Sequence, residues 1–287
     1  MKLVNFRAEG RESVGALGPH GIVDLGARLG HDVTDALTFM RAGLMGPARS
    51  IAALDQNDYA LSDVQVLKPV GRDTRYFCIG VNYPERNEEY KDGSERPKYP
   101  SLFMRSHTSL GAHGEPILRP RESEQLDYEG EIVVLIGTGG RRIKPEAAMS
   151  HVFGYTCGNE GSVRDWLRHS KFNVTQGKNF DRSGAIGPYI VTADEVGTAP
   201  LRVTTRVNGE ERQNDTSDRM LFSIPYLISY LSTFCSLEPG DVIFSGTPSG
   251  AGARFDPPRY LVAGDVVEVE VSRVGVLCNT VVDDVGG

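Results

Sequence analysis

The chain has 287 residues, of which 39% are hydrophobic and 24% charged, and it carries a net charge of −7. That is the composition of an ordinary globular protein with enough apolar residues for a large core. With 38 acidic against 31 basic residues and no Lys/Arg block longer than a dipeptide, it lacks the basic footprint of a nucleic-acid binder. No stretch approaches the roughly 18 to 20 apolar residues needed to cross a bilayer, and the N-terminus has no apolar signal core, so a cytoplasmic protein without a membrane partner is expected. Cys78, Cys157, Cys235 and Cys278 are scattered without a C-x-x-C pair. They read as small buried apolar residues, not as a zinc or disulfide framework.

In chain order, Lys2 to Phe6 and Gly21 to Leu25 alternate like short strands, and a helical stretch follows from about Val33 to Ala53. Residues 1–70 are expected to form a small N-terminal α+β domain. From Arg75 onward the chain is rich in glycine and short apolar runs: Tyr76 to Gly80, Glu131 to Ile136, Tyr189 to Val191, Arg202 to Val207, Val242 to Phe244 and Val266 to Val271. Such runs bounded by Gly and Pro indicate a β-dominated domain over residues 71–287. Two helical segments are expected within it, at Pro145 to His151 and Ile224 to Thr233, the second stopped at Pro239-Gly240. The fold class is therefore mixed β with α+β.

The segment Leu126-Asp127-Tyr128-Glu129-Gly130-Glu131 opens the apolar run Ile132 to Ile136. Side chains at i and i+2 share one strand face, so Glu129 and Glu131 project together and repel. A hard cation such as Mg²⁺, Mn²⁺ or Ca²⁺ relieves that repulsion, although a pair on a solvated edge needs none. Glu160 ends another apolar run, Val152 to Gly158, and is placed like a functional acid at a strand end. Downstream, Thr175-Gln176-Gly177-Lys178-Asn179 sets a lysine in a polar loop, where an ammonium can neutralise an oxyanion; taken alone it reads first as a solvated surface residue.

Together these segments resemble the fumarylacetoacetate hydrolase family. The likeness continues through Val207-Asn208-Gly209-Glu210 with Gln213 and Thr216, then Pro239 to Gly250 with its Gly246-Thr247-Pro248 turn, and Gly264 to Glu270, all in family order from about Arg75 to Val282. The resemblance implies a mixed β-sandwich roll, usually a homodimer, with Mg²⁺ or Mn²⁺ held by Glu129, Glu131 and Glu160. It also implies that the ion binds a small 2-oxo acid and stabilises an enolate. Lys178 would sit beside the same oxygens as a catalytic group, Thr247 would hydrogen-bond the substrate carboxylate, and Gln213 would face the substrate. Glu160 is a departure, since the family usually has Asp there.

A second departure falls in the segment after Cys78 to Tyr83. The family places a histidine and glutamate pair there on a mobile lid, whereas this chain has Arg86 with Glu89. Arginine accepts no proton at neutral pH, so Arg86 is expected to bind an anionic group instead, with Arg105 and Arg168 as further cations. Glu89, Glu88 or His107 would then have to move the proton; His107 lies in a substrate-facing segment where Arg105-Ser106 replaces the usual Lys-Pro. Three functions are compatible with these residues. The first is a hydrolase or lyase cleaving a C–C bond of an acylpyruvate-like acid, typically in aromatic or sugar-acid breakdown. The second is an isomerase, tautomerase or dehydratase at the same site. The third is a non-catalytic metal- or metabolite-binding protein.

Overall fold

A computed structural model describes residues 1–30, 33–53, 56–84, 97–169 and 173–286. The architecture follows from one strand, Gly130–Ile136, which is buried along its whole length. Its apolar run GEIVVLI does not alternate with polar residues because both faces are covered. Ile132, Val134 and Ile136 enter one core with Val203, Val269, Leu277 and Leu227. Val133 and Leu135 enter another with Cys78, Phe244, Phe39 and Ala48.

Two large sheets result. The larger runs Ile22–Asp24, Arg11–Leu17, Lys2–Ala8, Gly184–Thr192, Val152–Asn159, Gly130–Ile136, Val242–Phe244, Tyr76–Gly80 and Ser101–Arg105. The smaller runs Glu210–Thr216, Arg202–Val207, Val266–Val271, Gly275–Asp283 and Ile117–Arg119. The first core lies between the sheets and under the helix Ile224–Phe234, which Ser223 caps at its N-terminus. The second packs the larger sheet against the N-terminal helices Leu25–Leu29, Ala36–Arg41 and Met45–Ala52. The expected mixed β architecture is present.

Several local expectations are refined. The helical stretch near Val33 to Ala53 is two helices with Gly43 at φ 68 between them. Pro145–His151 is a 3₁₀ segment. Residues near 70 mark no break in the sheet, because Lys2 pairs with Val191 and Leu3 with Ile190. Cys78 and Cys157 are buried, but Cys235 and Cys278 are half-exposed. No described helix is long and apolar enough to cross a membrane.

Candidate active site

Strand register brings the acids together. Gly130–Ile136 runs antiparallel to Val152–Asn159 with Gly130 opposite Asn159, so the residues just outside this pairing, Glu129 and Glu160, meet. The Glu160 N–H donates to the Glu129 carbonyl at 2.7 Å, and the Asn159 side chain accepts from the Glu129 N–H at 3.0 Å. Glu131 is one step along, opposite Gly158. A Cβ on Gly130 would lie 1.9 Å from Thr205 Oγ1, so only glycine lets the acidic strand approach the smaller sheet this closely. Carboxylate oxygens of Glu129, Glu131 and Glu160 all lie within 4.8 Å of one another, and all three residues are buried.

Their environment is polarised. Lys178, the last residue of the short helix Thr175–Lys178, is buried and donates to Glu129 Oε2 at 2.5 Å and Glu160 Oε2 at 2.9 Å. Burial alone would lower its pKa, but Glu129 and Glu160 outweigh this and raise it, so the ammonium keeps its proton. Arg164 donates to Asp127 Oδ2 and Glu129 Oε1, both at 2.7 Å. Glu131 accepts from the Gly246 N–H at 2.7 Å. Gly246 has φ 98 and lies against Asn82, where an added Cβ would come within 2.5 Å of the asparagine's, so glycine is required at this turn. Burial, then the Glu160 and Glu129 charges, push the Glu131 carboxyl well above the usual range.

This donor set fits a divalent cation. It consists of hard carboxylate oxygens, and Glu160 Oε1 is buried without a hydrogen-bond partner. Around the cluster Asp127, Glu129, Glu131 and Glu160 stand against Arg105, Arg164 and Lys178, one acid in excess. A proton on Glu131 removes that excess. A divalent ion instead makes the site net positive, which suits an anionic ligand.

The adjoining cavity, about 110 Å³, is lined by the three glutamates, Arg164, Lys178 and Thr247. The rest of its lining is largely apolar, with Ile79, Val81, Phe103, Leu167 and Val174. The Lys178 ammonium lies 5.0 Å over the Phe103 ring, where charged and apolar lining residues meet.

The other expected site residues are placed differently. Thr247 lines the cavity, but its hydroxyl donates to the Gly130 carbonyl at 2.9 Å and accepts from Gln213 Nε2 at 2.8 Å. Gln213 does not face the cavity: it is buried, accepts from the Gly130 N–H at 2.9 Å and also donates to the Pro248 carbonyl. Arg105 is buried behind the acids, where it donates to the Gly161 carbonyl, Ser109 and Ser183, so it braces the Glu160 turn instead of meeting substrate. His107 lies in another cleft, with Asn5, Lys68, Arg72 and Glu115, and is hydrogen-bonded through Nδ1 to the Tyr76 hydroxyl at 2.9 Å. That position removes it as the proton carrier of the carboxylate site. Arg86 and Glu89, with Glu88, fall outside the described residues. Sequence reasoning gave no role to Asp127, although it sits two residues before Glu129; it is the buried counter-ion that holds Arg164 on Glu129.

The sequence profile described as fumarylacetoacetate (FAA) hydrolase C-terminal matches residues 75–282. The chain belongs to the fumarylacetoacetate hydrolase family. Among family members it is 40% identical to the oxaloacetate tautomerase YisK of Bacillus subtilis over 227 residues, 78% of this chain and 75% of that one. The fumarylacetoacetate hydrolase of Exiguobacterium antarcticum superposes with a TM-score of 0.87 at 32% identity, covering 99% and 100% of the two chains. The maleylpyruvate hydrolase of Sphingobium sp. SYK-6, solved with manganese(II) and pyruvate, superposes with a TM-score of 0.81 at 26% identity, covering 99% of each chain.

Proposed function

We propose that this protein is a divalent-metal-dependent tautomerase of a small 2-oxo acid, interconverting its keto and enol forms. The observation that carries the reading is the closed set of Glu129, Glu131, Glu160 and Lys178 around a cavity of about 110 Å³. That is small beside the roughly 300 to 1,000 Å³ of ordinary ligand pockets, and it suits a compact acid. The likeness to an oxaloacetate tautomerase supports it.

Glu129, Glu131 and Glu160 would hold Mg²⁺ or Mn²⁺, which supplies Lewis-acid stabilisation of enolate charge when bound. Lys178 holds a proton at Nζ beside the same oxygens, where it donates a hydrogen bond to the C2 oxygen as negative charge grows there. In the forward direction a proton leaves C3 and one arrives on the C2 oxygen, so the step needs no hydrolytic water. Arg164 keeps Glu129 oriented, while the turn at Gly246 fixes Glu131.

A second reading, C–C hydrolysis or lysis of an acylpyruvate-like acid at the same residues, is favoured by the likeness to the manganese- and pyruvate-bound maleylpyruvate hydrolase. One experiment separates them. Metal-stripped protein is reloaded with Mn²⁺ and mixed with oxaloacetate or acylpyruvates in D₂O, with Glu131→Gln as control, and followed by NMR. Metal-dependent deuterium exchange at C3 without cleavage supports the tautomerase; cleavage products selected by metal and lost in the control replace it with the hydrolase.

A further inference from the structure

Val81 adopts φ 51, a left-handed conformation that a β-branched residue takes only under constraint. The constraint is visible on both sides. Gly80 is paired with Ser101 at the end of the strand Tyr76–Gly80. Asn82 is fully buried and fixed by its side chain, which donates to the Phe222 and Ser245 carbonyls at 3.0 and 2.7 Å and accepts from the Phe222 N–H at 2.8 Å. The chain has to turn within one residue. Glycine or asparagine would make that turn with less strain, yet a valine stands there and lines the same cavity as the carboxylates. The valine is only partly buried, so core packing does not account for it.

We propose that Val81 is the specificity-determining residue of the site: its isopropyl group closes the apolar part of the cavity and limits the substrates to 2-oxo acids with a compact group on C3. The inference deepens the tautomerase reading and rests on it. A 2-oxo acid with its carboxylate and C2 oxygen toward Lys178 and a cation held by Glu129, Glu131 and Glu160 would leave its C3 substituent to the remaining, apolar lining, which includes Phe103, Val81, Leu167 and Val174. Long or aromatic acyl chains then collide with a wall whose backbone is held by Asn82 and cannot retreat. The same asparagine holds the Ser245 carbonyl, next to the Gly246 N–H that fixes Glu131, so the wall and the carboxylates share one frame.

The test compares 2-oxobutyrate with 2-oxohexanoate in the full-length, Mn²⁺-loaded protein and in Val81→Gly, Val81→Ala and Val81→Leu. It reads deuterium exchange at C3 by NMR and binding of each acid by calorimetry. The ratio of kcat/KM for the long acid over the short one is expected to rise at least ~10-fold in Val81→Gly, less in Val81→Ala, and to fall in Val81→Leu, as pocket discrimination by added methylenes does. Binding should follow the same order. A ratio that stays flat across the series overturns the proposal, and Gly and Ala suffice if the leucine variant does not fold. If no 2-oxo acid exchanges in any variant the tautomerase reading fails, while the binding series still decides the role of Val81. Wild-type protein that binds neither acid removes both.

Discussion

The ammonium of Lys178 lies 2.5 Å from Oε2 of Glu129 and shares with a prospective metal ion the carboxylates that would bind it. Lysine and a bound cation would therefore compete for these oxygens while both serving the substrate. Lys178→Met is expected to bind Mn²⁺ at least as tightly as wild type in calorimetry, because a like charge beside the ion is gone. Turnover should nonetheless fall by roughly 10² to 10³, as when an oxyanion donor is removed. Weakened Mn²⁺ binding in this variant would show that Lys178 organises the acids instead of competing for them.

Metal loading should be coupled to proton release. Burial and the neighbouring Glu160 and Glu129 hold a proton on Glu131 well above the normal carboxyl range, and a cation has to displace it. Apparent Mn²⁺ affinity is expected to fall as the pH is lowered, with up to about one proton released per ion. Calorimetry in two buffers of different ionisation heat measures this number directly, and Glu131→Gln should abolish it together with the thermal stabilisation by Mn²⁺.

His107 gives a separate pH signature, on stability. Burial, reinforced by Lys68 and Arg72, lowers its pKa from 6.5 to about 4. Between those values the unfolded chain binds a proton that the folded chain refuses, so this contribution is complete above about pH 6.5 and lost as the pH falls toward 4. For a half-exposed group the effect is roughly 1 to 2 kcal/mol after allowing for solvent screening. Melting curves from pH 4 to 7 should be flatter for His107→Gln than for wild type, with catalysis at neutral pH retained in the variant.

Gln213 should behave as a brace. Gln213→Leu leaves the Gly130 N–H and the Pro248 carbonyl without their partner and removes the bond that the Thr247 hydroxyl accepts. The expected cost is about 2 to 4 kcal/mol, a fall in Tm of roughly 5 to 10 °C. At permissive temperature kcat should drop more than KM rises. A rise in KM alone would return Gln213 to direct contact with substrate.

The residues that were legible in the sequence are those whose local pattern is decisive. Glu129 and Glu131 flank a glycine at the head of an apolar run, and Glu160 ends the next one; antiparallel pairing of the two runs then joins all three. Pattern says less about what covers an element. Lys178 sits in a polar stretch yet is buried, because Phe103 and the acids close over it. Arg105 and Gln213 are polar residues near the site whose side chains turn inward to satisfy buried backbone groups, and only the tertiary arrangement fixes that direction. The strain at Val81 arises from the pairing of Gly80 and the anchoring of Asn82, neither visible in a local window.

The pairing of Lys2–Ala8 with Gly184–Thr192 has a consequence for dissection of the protein. Cutting the chain back to the family-matched residues 75–282 would strip an interior strand of its neighbour and leave an open hydrogen-bonding edge at Ile190 and Val191. It would also bare Val133, Leu135 and Phe244, now covered by N-terminal helices. Such a fragment should self-associate, and amides of the acidic strand, protected in the whole chain, should exchange with solvent much faster in it. The profile-matched region is thus smaller than the set of strands and helices that covers the carboxylate strand.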